Sequence, residues 1–141
     1  TIKKNLKQWL NQGRMINDTV DILDAKIINI GIEFDIISNI SSNKFEVLAE
    51  AIEELSAFYN NKLDVGEPFY ISDVYNVLNK MPDVVDTTKV KIVQKTGGSY
   101  SSTVIFDVAN NMSPDERYIV VPDNAVLELK YPTIDIKGTV K

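Results

Sequence analysis

The chain has 141 residues, 44% of them hydrophobic and 25% charged, which is the balance of a globular domain and excludes a disordered tail. It contains no Cys and no His, which excludes disulfides, thiol nucleophiles, Ser-His-Asp triads and zinc sites with Cys or His ligands. The formal net charge of −5 disfavours nucleic acid and anionic membranes as partners, and no apolar run has the roughly 18 to 20 residues of a membrane helix. The chain begins at Thr1 and not at Met, so we expect a processed chain or a piece of a longer one.

The first predicted element is a short amphipathic helix, which together with a connecting arm makes up residues 1–24. Thr1 is a suitable N-cap and Gly13 a suitable end, and the apolar residues between them recur at helical spacing: Ile2, Leu6, Trp9 and Leu10. The same segment is basic, with Lys3, Lys4, Lys7 and Arg14 and no acidic residue before Asp18. Such a helix suits a binding partner, although lysines that solvate one face while Trp9 and Leu10 pack on the domain are an equal alternative.

Residues 25–95 predict a core of strand, helix, helix and strand. Residues 26–37 alternate with period two, which places Ile28, Ile30, Ile32, Phe34 and Ile36 on one face and Asn29, Gly31, Glu33 and Asp35 on the other. Asn43 and Glu46 have capping-box spacing at the start of a helix that should end near Asn60. Ser72 and Asp73 open the next helix, Pro82 ends it, and residues 84–94 follow as a strand.

The last third of the chain, residues 96–141, is predicted to be rich in β-structure. Gly97 and Gly98 break the preceding strand, and a hairpin or loop is favoured there over a phosphate-binding loop. Apolar alternation then predicts strands at residues 104–108, 118–121, 126–129 and 134–136, and Pro122 and Pro132 favour sheet edges or turns. The fold class expected for the whole chain is therefore α+β.

The acidic residues invite a search for a pair of catalytic carboxylates, because glycoside hydrolysis needs only two of them about 5 to 10 Å apart. The candidate pairs, Asp21 with Asp24 and Asp83 with Asp86, lie in predicted turns, where Asp is common because its side chain bonds nearby backbone groups. No calcium-loop pattern occurs. The residues therefore predict no catalytic, cofactor-binding or metal site, and no cofactor.

Interaction surfaces are predicted instead, at two places. The aromatic pairs at residues 58–59 and 69–70 flank the loop between the two core helices, where they would serve either an interface or the core beneath the loop. Glu46, Glu50 and Glu54 stack on one helix face, which is either solvated or meets a basic partner such as the first helix of a neighbouring copy. The candidate interface residues are Lys3, Lys7, Trp9, Arg14, Phe69 and Tyr70.

The order of these features resembles the baseplate J-like family of contractile phage tails. The resemblance covers roughly residues 5–95 and begins with Leu-Lys-Gln-Trp-Leu at 6–10, Arg-Met-Ile-Asn-Asp at 14–18 and Ile-Asn-Ile-Gly-Ile at 28–32. It continues with Phe-Tyr-Asn at 58–60, the segment from Val65 to Tyr75, and Met-Pro-Asp-Val at 81–84. Family members commonly have Gly after that Pro, whereas this chain has Asp83. Residues 96–141 carry no matching features.

The resemblance implies a structural virion protein, a wedge component of the tail baseplate that is made in the host cytoplasm. The resemblance implies no enzymatic activity. The partners of the protein would be other copies, in a homodimer within the inner baseplate ring, and other wedge proteins. Nucleic acid and membranes are not among the partners that it implies. A carboxylate-dependent hydrolase of cell-wall polysaccharide is the main alternative, and it requires two acids in one cleft, one of them with a raised pKa. A third is a module that binds a ligand or peptide at the edge of the C-terminal sheet.

Overall fold

The computed structural model describes residues 1–13, 22–60, 62–101 and 105–141. Its elements are, in chain order, α1 (Ile2–Gln12), β1 (Lys26–Ser38), α2 (Lys44–Phe58), β2 (Phe69–Tyr70), α3 (Ile71–Asn79), β3 (Val84–Gln94), β4 (Tyr118–Ile119), β5 (Ala125–Glu128), α4 (Pro132–Asp135) and β6 (Ile136–Val140). The predicted α+β class is confirmed, with a helix at the N-terminus and strands at the C-terminus. None of the helices described is long and apolar enough to cross a membrane.

β1 is the central strand of the main sheet. One edge of β1 pairs with β3 in antiparallel register, from Ile30 opposite Gln94 to Ser38 opposite Val84. The other edge is shared by two parallel strands, β5 along the first four residues of β1 and β6 from Ile32 onwards. The C-terminal third therefore supplies two strands to the sheet of the strand-helix-helix-strand core.

The hydrophobic core lies on one face of this sheet. The five alternating apolar residues of β1 point into it and are almost fully buried, as their period predicts: Ile28, Ile30, Ile32, Phe34 and Ile36. α2 packs against β6, and α3 packs against β3 and α2, so the two helices cover this face. Ile119, Leu127 and Ile136 from the C-terminal third join the same cluster, which unites residues 25–95 and 96–141 around one core.

The opposite face of β1 is partly covered, which the sequence did not predict. Asn29 and Gly31 are buried, because the loop at residues 95–101 crosses the sheet there. The Asn29 carbonyl accepts from the Lys95 N–H at 2.8 Å and its side-chain Oδ1 accepts from the Ser101 N–H at 2.7 Å. Further along β1 this face opens again, and Glu33 is exposed as expected.

The two core helices begin by different means. Asn43 caps α2 as predicted, since its side chain accepts from the backbone N–H of Phe45 at 3.0 Å. α3 begins at Ile71, before the predicted Ser72 and Asp73, with Tyr70 as an N-cap that makes no side-chain cap bond. The start is held instead by the Ile71 N–H, which donates to the carbonyl of Arg117 at 2.7 Å.

Two strands predicted in the C-terminal third are wrong. Residues 105–108 form no strand, because the Asp107 side chain accepts from the N–H groups of Ala109 and Asn110 and so bends the chain; Val104 lies outside the described residues. Ile134 belongs to the single turn of α4, since Pro132 at its start has the φ of a first helical turn. The strand predicted over 134–136 therefore begins only at Ile136, as β6.

Candidate assembly surface

The apolar side of α1 is open to solvent. Thr1 caps the helix by accepting from the Lys4 N–H at 3.4 Å, and Gly13 follows its last residue, both as predicted. α1 buries no residue: Ile2 is 86% exposed, Leu6 44%, Trp9 69% and Leu10 36%. These four residues, here called the α1 face, lie together because they recur at helical spacing. The packing of Trp9 on the domain, one of the two alternatives, is not observed.

The lysines of α1 occupy two different sides of the helix. At 3.6 residues per turn, Lys3 and Lys7 follow Leu10 around the helix and flank the α1 face, whereas Lys4 lies on the far side. Lys3 Nζ is 2.6 Å from a carboxylate oxygen of Asp24, and both side chains are at least half exposed, so this ion pair is weak. The predicted interface residue Arg14 lies outside the described residues.

The aromatic pair at 69–70 divides between core and surface. Phe69 is 1% exposed and stacks on Tyr59, with ring centroids 5.2 Å apart, so its predicted role as an interface residue is wrong. The reason is the alternation of the two-residue strand β2, which directs Phe69 inwards beside Ile119 and Tyr70 outwards beside Tyr118. Tyr70 remains 45% exposed and is the member of the pair that a partner can reach.

An open groove of about 660 Å³ lies between the C-terminal half of α2 and strand β5. Its apolar lining includes Ile27, Leu63 and Leu129, and two carboxylates, Glu53 and Glu128, also line it. No Lys or Arg belongs to the lining that the described residues form. We call this depression the α2–β5 groove.

Tyr59 lies beneath this groove. Its ring is buried between Phe58 and Phe69, and its hydroxyl has no hydrogen-bond partner within the described part of the chain. Burial raises the pKa of the Tyr59 phenol, and the negative charge of Asp73 raises it further. Tyr59 therefore stays neutral at physiological pH and is not a general base.

A second depression, of about 570 Å³, lies between α3, β3 and the turn at residues 112–117. The turn is tightly bonded, since the Ser113 hydroxyl donates to Asp115 at 2.6 Å and accepts from the Arg117 N–H at 3.0 Å. The hydroxyl of Ser113 is the main cause that lowers the pKa of Asp115. Asp115, one of the two acidic residues that line this depression, is thus bonded within the turn itself.

The acid pairs named in the sequence have local roles where the structure describes them. Asp83 accepts from the Ser42 hydroxyl at 2.9 Å, and Asp86 accepts from the Thr87 N–H at 2.9 Å. Asp24 forms the ion pair with Lys3, and Asp21 lies outside the described residues. Within the described ranges no three acidic side chains are grouped so as to hold a metal ion.

The two carboxylates of the α2–β5 groove, Glu53 and Glu128, were not predicted as site residues from the sequence. Glu53 lies beside the predicted acidic stripe, so helical periodicity could have predicted its exposure. Glu128 gives no local signal, because it reaches the groove only through the parallel pairing of β5 with β1.

Comparison with known proteins adds no relative: no family model matches this chain and no curated protein matches it.

Proposed function

We propose that this chain is a structural virion protein, a wedge component of a contractile-tail baseplate that assembles through protein–protein contacts into the inner ring. The observation that carries the proposal is the α1 face, where Trp9 and Ile2 stay solvent-exposed on a well-capped helix. Large exposed apolar side chains grouped on one element and flanked by charges are typical of a protein interface. Partners would be other copies and other wedge proteins, in the virion after synthesis in the host cytoplasm.

The baseplate setting rests on the resemblance of residues 5–95 to the baseplate J-like family, and in particular to the C-terminal part of the baseplate wedge protein of T-even-type phages. Gly66, one of the residues that carry it, has a structural role in this fold. Gly66 adopts a φ of +73°, which favours glycine, and its N–H donates to the carbonyl of Ala125 at 2.8 Å. Asp83, where the family commonly has Gly, has no positive φ, so this turn does not require glycine.

Sedimentation equilibrium at several protein concentrations, in low and in moderate salt, tests the assembly function. We expect a concentration-dependent dimer that weakens as salt rises, because exposed charges about 10 Å apart are screened at 0.1 M. Trp9→Ala should weaken the dimer and, at concentrations where the wild type is monomeric, leave the thermal unfolding temperature unchanged, since α1 buries no residue. A monomer at every concentration and in both salts would contradict self-assembly.

The observation that bears on the hydrolase alternative is that two carboxylates, Glu53 and Glu128, line one groove. A retaining or inverting mechanism needs two carboxyls about 5 to 10 Å apart that converge on one sugar. A cell-wall turbidity assay with the wild type, Glu53→Gln and Glu128→Gln separates the two functions. The structural proposal expects no clearing by any of the three proteins, whereas clearing that both variants abolish would establish the hydrolase.

A further inference from the structure

Two open surfaces of this chain carry opposite charge. α1 contains Lys3, Lys4 and Lys7 and no acidic residue, although the whole chain is acidic. The α2–β5 groove contains Glu53 and Glu128 and, within the described lining, no cationic side chain. Complementary charge of this kind steers two surfaces together and selects against wrong partners.

The two surfaces are also both apolar in part, and one is a projecting helix face while the other is a groove. The α1 face projects Ile2, Leu6 and Trp9 from a helix about 16 Å long, at 1.5 Å per residue. The groove is concave and offers Ile27 and Leu129 as apolar contacts. A Trp side chain alone buries roughly 150 to 250 Å² when it enters such a groove. Amphipathic helices bind hydrophobic grooves in this manner, with anchors at helical spacing.

The described residues of the chain leave its own groove open. α1 contributes no residue to the lining, and its apolar side chains remain exposed in the same molecule whose groove is open. We propose that α1 of one copy docks in the α2–β5 groove of a second copy, and that the exchange is reciprocal. This inference rests on the proposed assembly function and names the contact that serves it.

Reciprocal exchange closes the assembly as a symmetric dimer. Each copy gives one helix and receives one, so the same contact forms twice and the buried area doubles. A stable interface requires about 1,000 Å² in total, to which two docked helices contribute equally. Docking brings Lys3 and Lys7 towards Glu53 and Glu128 of the other copy. The exposed ion pair of Lys3 with Asp24 is weak, so Lys3 can give it up for the contact between copies.

Trp9 provides a direct readout, because it is the single Trp of the chain. Its exposure in the free chain predicts solvent-like fluorescence at low concentration. As concentration rises, docking should move the emission to shorter wavelength, with the same midpoint that sedimentation gives for dimerisation. A dimer whose Trp9 emission stays solvent-like would overturn the inference while leaving self-assembly intact.

Charge reversal identifies the two partners of the contact. The helix variant carries Lys3→Glu and Lys7→Glu, and the groove variant carries Glu53→Lys and Glu128→Lys. Each variant alone places like charges in both contacts of its dimer, so we expect the Kd of dimerisation to rise at least about tenfold. An equimolar mixture should form a heterodimer near the wild-type Kd, because each helix then meets a groove of opposite charge.

Matched controls separate the contact from net charge. The control for the helix variant is Lys4→Glu with Lys44→Glu, which changes the net charge by the same amount. The control for the groove variant is Asp64→Lys with Glu67→Lys, which does the same. All four residues are exposed and lie outside the groove lining. Both controls should dimerise like the wild type. Lys3→Glu adds an acid at the N-terminus of α1, which favours the helix, so lost association is not explained by unfolding of α1.

The outcomes distinguish this inference from the proposed function. Restored heterodimerisation in the mixture, with neither variant associating alone, supports exchange of α1. A groove variant that still dimerises like the wild type overturns the inference, because α1 then binds elsewhere, but it leaves the assembly function standing. A wild-type chain that stays monomeric at every concentration contradicts both.

Discussion

Gly138 tests the placement of β6 beside β1. It stands opposite Phe34 in the parallel register of these strands, and the Phe34 ring is 2% exposed. In Gly138→Ala the new Cβ would overlap Cε2 and Cζ of that ring and lie 2.9 Å from Cδ1 of Leu48. Both neighbours belong to the core side of the sheet, so the ring must leave its rotamer or the strands must separate.

The magnitude follows from two opposing effects. Overpacking a filled core costs about 1 to 3 kcal/mol, whereas replacing a strand Gly by Ala gains about 0.5 to 1 kcal/mol in conformational entropy. We therefore expect a net loss of roughly 1 to 2 kcal/mol in the free energy of unfolding. Gly13→Ala is the matched control, because no atom lies within 4 Å of its added Cβ.

Urea denaturation followed by circular dichroism measures this difference, since the single Trp lies on the exposed α1 and reports poorly on the core. Phe34→Leu should reduce the cost of Gly138→Ala in a double-mutant cycle, because it removes the ring that the new methyl meets. If Gly138→Ala were as stable as Gly13→Ala, the described packing of β6 on β1 would be refuted.

Three further predictions concern single side chains. Asn43→Ala should cost about 1 kcal/mol of unfolding free energy in urea titrations, because it removes the N-cap of α2, while Asn43→Asp, which keeps the acceptor, should not. Phe69→Ala should lower stability by about 3 to 5 kcal/mol, whereas the exposed Tyr70→Ala should cost less than 1 kcal/mol; equal losses would contradict the inward and outward directions of β2. The hydrogen bond that the Tyr100 hydroxyl donates to Asp135 at 2.5 Å is the main cause that raises the pKa of Tyr100 from 10.0 to about 12. The stability it contributes is full below pH 10 and is lost as pH rises through about 12; ultraviolet absorbance of the phenolate, compared with Tyr100→Phe, should show one late-titrating Tyr.

Elements were predicted correctly where residues close together in the sequence mark them. The apolar residues of β1 alternate over its length, and the Asn43 cap marks the start of α2, so both elements lie where the sequence predicts them. Local patterns could not predict the burial of Asn29 and Gly31, because a loop distant in sequence covers them. The turn at Asp107 was missed because one side chain competed successfully with apolar alternation.

The candidate assembly surface shows the same contrast between features that local residues predict and features that depend on residues distant in sequence. Helical spacing placed Trp9 and Lys7 on α1, but spacing alone left open whether Trp9 packs on the domain, and only the fold shows it exposed. A two-residue strand is too short for a period, so Phe69 and Tyr70 could not be told apart. Glu128 enters the groove through a parallel pairing with no sequence signature.

Immunogold labelling of contractile-tail particles tests the proposed role in the baseplate. Antibodies against this chain would be applied to purified contractile-tail particles from cells that express it, and the label located by electron microscopy. We expect gold at the tail baseplate, and peptides of the chain in the digested particles at constant stoichiometry. Particles without label and without its peptides, while the chain is abundant in the lysate, would contradict a structural role in the baseplate.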